Sequence, residues 1–306
     1  MKKVFEGAER FNRIKPVTNI LFNLIFILLT LMCIIPILLV ISISLSSEAS
    51  ITEYGYQLIP REFSLEGYAY LVKQKGTILQ ALFMSVSVTV IGVILGVLLT
   101  SLMGYVLSRR EYIANGFLSI LVFIPMVYSG GLVASYYINT QLFKLSDTIW
   151  ALILPICVSS FNVIVCRTFF SITIPDSLIE SAKIDGARQM SIYFRIVLPL
   201  SLPVLATIGL FLCFSYWNDW FQAMLYINKE SLLTLQAFLN RLLTDINMLA
   251  QNAQDLGLTQ AQLIASMPKE AARMAIVVVI VLPIACAYPF FQKYFISGLT
   301  IGAVKG

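Results

Sequence analysis

Along the 306 residues, apolar positions gather into long uncharged runs. A bilayer-spanning helix needs about 20 such residues. Positions 16–47 carry no Asp, Glu, Lys or Arg, and their apolar body covers 20–43. Further runs cover 79–107, 114–138, 148–166, 196–218 and 274–292. The pattern predicts six transmembrane helices. The first run is longer than the apolar part of a signal peptide, about 7–15 residues. Pro36 inside it marks a place for a kink, unless the helix tilts instead. Gly92 and Gly96 in the second run have the spacing that lets helices pack closely, or are two unrelated small residues.

Charge fixes the setting. Only 12 % of the chain is charged, 58 % is hydrophobic, and the mean hydropathy is +0.85. Soluble domains carry about 25 % charge, so too little is present to coat a water-facing surface. With the N-terminus inside, segments 1–15, 108–113, 167–195 and 293–306 hold 13 of the 21 basic residues. The inner segments are more than twice as dense in Lys and Arg as the outer ones, which predicts both termini cytoplasmic. The net charge of +5 therefore reads as multi-pass topology in a cell membrane, not as a nucleic-acid footprint. The absence of histidine removes His general bases and His metal ligands. Cys33, Cys157, Cys166, Cys213 and Cys286 all lie in apolar stretches without CxxC spacing, as expected of small buried hydrophobes.

Two outer segments are long, 47–78 and 219–273. The second carries Leu232, Leu235, Phe238, Leu239, Leu242 and Leu243 at helical spacing. That suits an amphipathic helix on the membrane surface or a platform for an external partner. No flexible linker interrupts the chain, so a single membrane domain over 1–306 is expected. Its core covers about 76–297, with the first span and outer loop, 1–75, as an appendage.

The inner segment after the fourth run carries the most specific local signals. Ser177-x-x-Glu180 fits a capping box, Pro175 stops the preceding element, and Gly186 suits the left-handed residue that ends a helix. A helix is expected over 178–185, and a second from about Gln189 toward Leu198 and Pro199. Ser181, Ala182 and Gly186 permit close approach, while Leu178, Ile179 and Ile184 offer surface to bury. Such a helix fits a groove on a partner, or is an ordinary amphipathic connector.

The segment resembles the signature loop of bacterial ABC importer permeases, EAA-x3-G-x9-I-x-LP. Here it reads Glu180-Ser181-Ala182, then Gly186, then Ile196-Val197-Leu198-Pro199, with Ser181 as the one departure. Trp217-Asn218-Asp219-Trp220 resembles a stretch late in the fifth helix of carbohydrate-type permeases, and the ending from Gln292 to Gly306 resembles the tail of the branch similar to the smaller maltose permease subunit. The resemblance implies an all-α integral membrane protein in which the loop is a cytoplasmic coupling helix seated on an ATPase subunit. Glu180 would contact the ATPase, with Ser181, Ala182 and Asp185 in the same coupling segment, Gly186 would allow the turn, and Leu198 and Pro199 would pass the motion to the fifth span. Lys305 in the tail would reach between ATPase subunits.

No G-x-x-x-x-G-K-[ST] phosphate loop occurs, so ATP and magnesium belong to partner chains and no cofactor is expected on this one. The implied partners are a second, different permease subunit, two ATPase subunits, an extracellular substrate-binding protein and the lipid bilayer. The implied function is to form half of the path for a sugar or oligosaccharide, without enzymatic activity of its own. A peptide or osmolyte importer, or a secondary transporter, is the alternative. Polar residues within spans usually face a cavity. Ser159, Ser160 and Asn162 interrupt the fourth run, and Tyr216, Trp217, Asn218, Asp219 and Trp220 combine aromatic faces with hydrogen-bonding groups. These are the candidates for the substrate path. For the tryptophans an interfacial aromatic belt is the alternative.

Overall fold

A computed structural model describes residues 16–73, 75–109, 111–251 and 270–303. Among them the elements are helical, and the β-type pairing is the isolated bridge between Ser46 and Phe63. The described residues form two compact units. One holds those up to Lys73 together with Glu270–Val278, and the other holds those from Lys75 to Gln251 together with 279–303.

In the first unit, α1 (Pro16–Ser44) is a continuous apolar helix that runs through Pro36. Its 29 residues make about 43 Å at 1.5 Å per residue, longer than a hydrocarbon core of about 30 Å. Its most apolar window is 0 % buried in this chain, so lipid or another subunit must cover it. Then come α2 (Glu48–Tyr54) and α3 (Glu66–Lys73). Ser47 caps α2 by accepting from the Ser50 amide at 3.2 Å. The last helix, α15 (Glu270–Ala303), starts in this unit, where Ala271 packs on Ile43 and Ile51. The Glu48 carboxylate accepts from the first amides of α15, Glu270 at 3.1 Å and Ala271 at 3.3 Å.

In the second unit, α4 (Lys75–Ser108) is the central helix. Around it lie α5 (Asn115–Val127), α6 (Leu132–Tyr137), α7 (Ile149–Cys157), α8 (Ser160–Thr173), α9 (Asp176–Ile184) and α10 (Gln189–Ile192). Then follow α11 (Leu198–Leu200), α12 (Leu202–Trp217), α13 (Phe221–Tyr226) and α14 (Leu235–Gln251). α4 packs most extensively on α12 and α8. Gly92 and Gly96 permit this approach. A Cβ on Gly96 would sit 2.7 Å from the Cys157 carbonyl oxygen and from Leu212 Cδ1, and one on Gly92 would enter the Tyr216 ring. The GxxxG spacing is thus a packing surface.

Three expected spans are not single helices. The third breaks after Val127, and its two halves are bent by 117°. Tyr128 is extended and Gly131 takes φ 82°, a left-handed conformation that glycine adopts without strain. The fourth breaks at Val158, bends by 49°, and runs on to Thr173. The fifth bends by 82° at Ser201, so its long helix begins at Leu202 and not near Ile196. Pro203 explains that bend, since it offers no amide to residue 199 and its ring crowds that carbonyl. Among the described residues, three continuous helices, α1, α4 and the start of α15, are long and apolar enough to cross a bilayer, and counting each bent pair as one span gives up to six. Cys157, Cys166 and Cys213 are buried, but Cys33 and Cys286 face outward, so the small-hydrophobe reading holds for three of the five.

Candidate functional site

The segment Asp176–Leu200 is built from short helices held by specific contacts. α9 starts at Asp176 with Pro175 as its N-cap, and no side chain caps it. The expected Ser177–Glu180 capping box does not form. Asp176 is the first helical residue instead, near the positive end of the helix dipole, and its carboxylate meets Arg109 at 2.8 Å. The C-terminal signal works as expected. Gly186 has φ 81°, its amide donates to Lys183 O at 3.0 Å, and the Ala187 amide donates to Ala182 O at 2.9 Å. This is the paired 6→1 and 5→2 pattern of a Schellman end.

α9 is two-faced. Ile179 and Ala182 are buried, whereas Leu178, Glu180, Ser181, Asp185 and Gly186 are exposed and Ile184 is 86 % exposed. Leu198 is half-buried and Pro199 exposed. α9 is tied to the end of α4 and the turn beyond it by Arg109–Asp176 and by Lys183–Glu111 at 3.1 Å. Lys305 lies outside the described residues.

The path candidates separate. Tyr216 and Trp217 are 2 % and 5 % exposed. The Tyr216 hydroxyl donates to Ile153 O at 2.8 Å and the Trp217 indole N–H to Ile280 O at 3.0 Å. Both are therefore buried packing groups with satisfied polar atoms. Asp219 accepts from the Gln222 amide at 3.3 Å, which holds the start of α13. Asn218 is exposed, donates to Phe214 O at 3.0 Å and accepts from Gln236 Nε2 at 3.3 Å. Trp220 is exposed, with its ring edge-to-face against Phe221. Asn162 is buried, while Ser159 and Ser160 are half-buried at the start of α8.

A cavity of about 570 Å³ collects a different set. Ser129, Ser135, Asn139, Gln222 and Tyr226 supply its hydrogen-bonding groups, Phe221 an aromatic face, and among the described residues no charged side chain lines it. Asn139 Nδ2 donates to the Tyr226 hydroxyl at 3.0 Å, and the Tyr226 ring stacks on Tyr136. The Asp147 carboxylate steadies the same loops from outside, accepting from the amides of Asn228 at 2.6 Å and Lys229 at 3.1 Å. Those amide bonds hold its pKa below the usual carboxylate range. The sequence signal for this cavity is the Ser129-Gly130-Gly131 breaker inside an apolar run.

Comparison with known proteins agrees with these features. The family model described as "Binding-protein-dependent transport system inner membrane component" matches residues 82–301. A polygalacturonan/rhamnogalacturonan transport system permease protein, YtcP, of Bacillus subtilis (strain 168) is 38 % identical over 292 residues, covering 94 % of this chain and 99 % of that protein. Protein LplC of the same organism is 37 % identical over 273 residues, covering 89 % of this chain and 90 % of its own. Among solved structures, a chain of a bacterial ABC transporter involved in import of the acidic polysaccharide alginate matches with a TM-score of 0.79 and 26 % identity, covering 91 % of this chain and 96 % of that one. The matched region spans α4 to α15 and includes the Glu180–Gly186 turn, and on this evidence the chain belongs to the binding-protein-dependent transport system inner membrane component family, the membrane-embedded permease subunits of ABC importers.

Proposed function

We propose that this chain forms half of an oligosaccharide path, paired with a second, different permease subunit, and that α9 is the contact with a cytoplasmic ATPase. Both termini lie in the cytoplasm, as the basic-residue count supports. Two ATPase subunits hold the ATP and magnesium, and an extracellular binding protein delivers the sugar. The observation that carries the reading is the outer face of α9. Leu178 and Ile184 are exposed beside the small Ser181 and Gly186, and Glu180 stands free of any ion pair among the described residues. A water-exposed apolar face next to small residues gains free energy when a partner covers it.

The sugar assignment rests on the relatives, whose names specify polygalacturonan, rhamnogalacturonan and arabinooligosaccharides. It is supported by the cavity of Ser129, Asn139, Gln222 and Tyr226, whose neutral hydrogen-bonding groups and aromatic face suit hydroxylated rings. The test is reconstitution of the complex in proteoliposomes with its binding protein. Oligogalacturonides or arabino-oligosaccharides should stimulate ATP hydrolysis and accumulate inside. Unchanged hydrolysis and uptake with both would remove the carbohydrate reading. Gly186→Asp should insert normally but fail to retain the ATPase during purification. Among the described residues nothing lies within 4 Å of a Cβ at Gly186, so the expected obstruction is the partner's surface together with the φ of 81°.

A further inference from the structure

The coupling segment meets α4 through apolar packing, with the Tyr105 and Tyr193 ring centroids 5.5 Å apart, and through a few polar pairs. A cavity of about 410 Å³ beside this contact is lined by Tyr105, Arg109, Lys183, Gln189 and Tyr193 among others. Among the described residues, four polar contacts join the segment to α4 and the turn beyond it. Two are the ion pairs Arg109–Asp176 and Lys183–Glu111, whose carboxylates are 79 % and 75 % exposed. Pairs with carboxylates this exposed contribute little. The other two are Tyr105 Oη donating to Gln189 Oε1 at 3.1 Å and a Ser101–Tyr193 hydroxyl contact at 2.6 Å. Ser101 donates to Leu98 O at 3.0 Å, which leaves Tyr193 as the donor to Ser101. Both residues of that pair are fully buried, so water cannot replace the bond when it is stretched.

Tyr193 also occupies the junction of the segment. Its carbonyl accepts from the Leu198 amide and opens a wide i→i+5 turn over Tyr193–Val197, a geometry frequent at functional sites. Beyond that turn the chain bends by 82° into α12. One residue therefore joins α10 behind it, α12 ahead of it and α4 beside it.

We propose that Tyr193 and Ser101, supported by Tyr105 and Gln189, are the positioning residues that carry displacement of α9 into α4. The inference rests on the coupling reading of α9 and adds the route by which movement leaves it. If α9 is drawn by the ATPase, the surface ion pairs can exchange with water, but the buried hydroxyl pair must either break at a cost or bring α4 along. α4 in turn contacts α5, α7, α8 and α12, so its displacement reaches all three broken spans directly.

The test uses the whole complex, purified through a tag on this chain and placed in proteoliposomes with binding protein and oligogalacturonides. Tyr193→Phe keeps the ring and removes only the hydroxyl, and Ser101→Ala removes its acceptor. Each should retain the ATPase and hydrolyse ATP, but uptake per ATP hydrolysed should fall about tenfold, the factor that one buried hydrogen bond can represent. The double variant should lose no more than the singles, because both remove the same bond. Uptake per ATP equal to wild type in Tyr193→Phe overturns the proposal. So does a proportional loss of hydrolysis and uptake, which would mark a purely structural role. Failure of the unaltered chain to retain the ATPase refutes the coupling reading instead.

Discussion

Replacing Gly96 by Ala should loosen the packing of α4 on α7 and α12. The added Cβ would lie 2.7 Å from the Cys157 carbonyl oxygen and 2.7 Å from Leu212 Cδ1. The leucine methyl can rotate away, but the carbonyl belongs to the last turn of α7 and cannot. An ordinary contact of about 3.4 Å requires the helices to separate by about 0.7 Å, and overpacking of this kind costs about 1–3 kcal/mol. Alanine's helix propensity returns about 0.8–1 kcal/mol. The net expectation is a loss of up to about 2 kcal/mol. Gly116 provides the control, because a Cβ there meets nothing within 4 Å. Gly116→Ala should be neutral or slightly stabilising. Thermal unfolding in detergent, followed by tryptophan fluorescence, should place Gly96→Ala a few degrees below wild type. If Gly96→Ala melts at or above Gly116→Ala, the close-approach argument fails.

Three further outcomes follow from contacts already described. Trp217→Phe leaves Ile280 O without its donor and should cost about 1–2 kcal/mol, measured in the same unfolding assay, while Trp220→Phe should change little. Glu48→Ala removes the carboxylate from the start of α15 and should cost about 1 kcal/mol, seen as faster hydrogen exchange at the amides of Glu270 and Ala271. Asp147 has a depressed folded pKa, so its contribution is complete above the unfolded value of about 3.9 and is lost as pH falls through the folded one. The difference in thermal stability between wild type and Asp147→Ala should therefore be constant from pH 7 to 5 and close only below about pH 4. A difference that shrinks between pH 7 and 5 would show that another group is titrating.

What the sequence determined by itself was whatever depends on neighbours along the chain. Scarcity of charge and the length of the apolar runs required a membrane, because a bilayer sets both by its thickness and dielectric. Gly186 could be assigned its left-handed turn, since few other residues adopt φ 81° without strain. The Glu180–Pro199 spacing carried the family. What only the tertiary structure decided was which partner lies opposite. Arg109, 67 positions away, holds Asp176, and α9 begins there without the Ser177 cap. Tyr216 and Trp217 are path candidates by residue type, but carbonyls of Ile153 and Ile280, each 63 positions distant, accept from their polar hydrogens and both side chains are buried. The break after Val127 leaves Ser129–Asn139 to line the cavity with Pro155 of α7 and with Phe221–Tyr226 of α13, groups far apart in the sequence. A hydropathy pattern records how apolar a stretch is, but not where its helix bends, because proline and glycine have consequences that depend on what is packed against them.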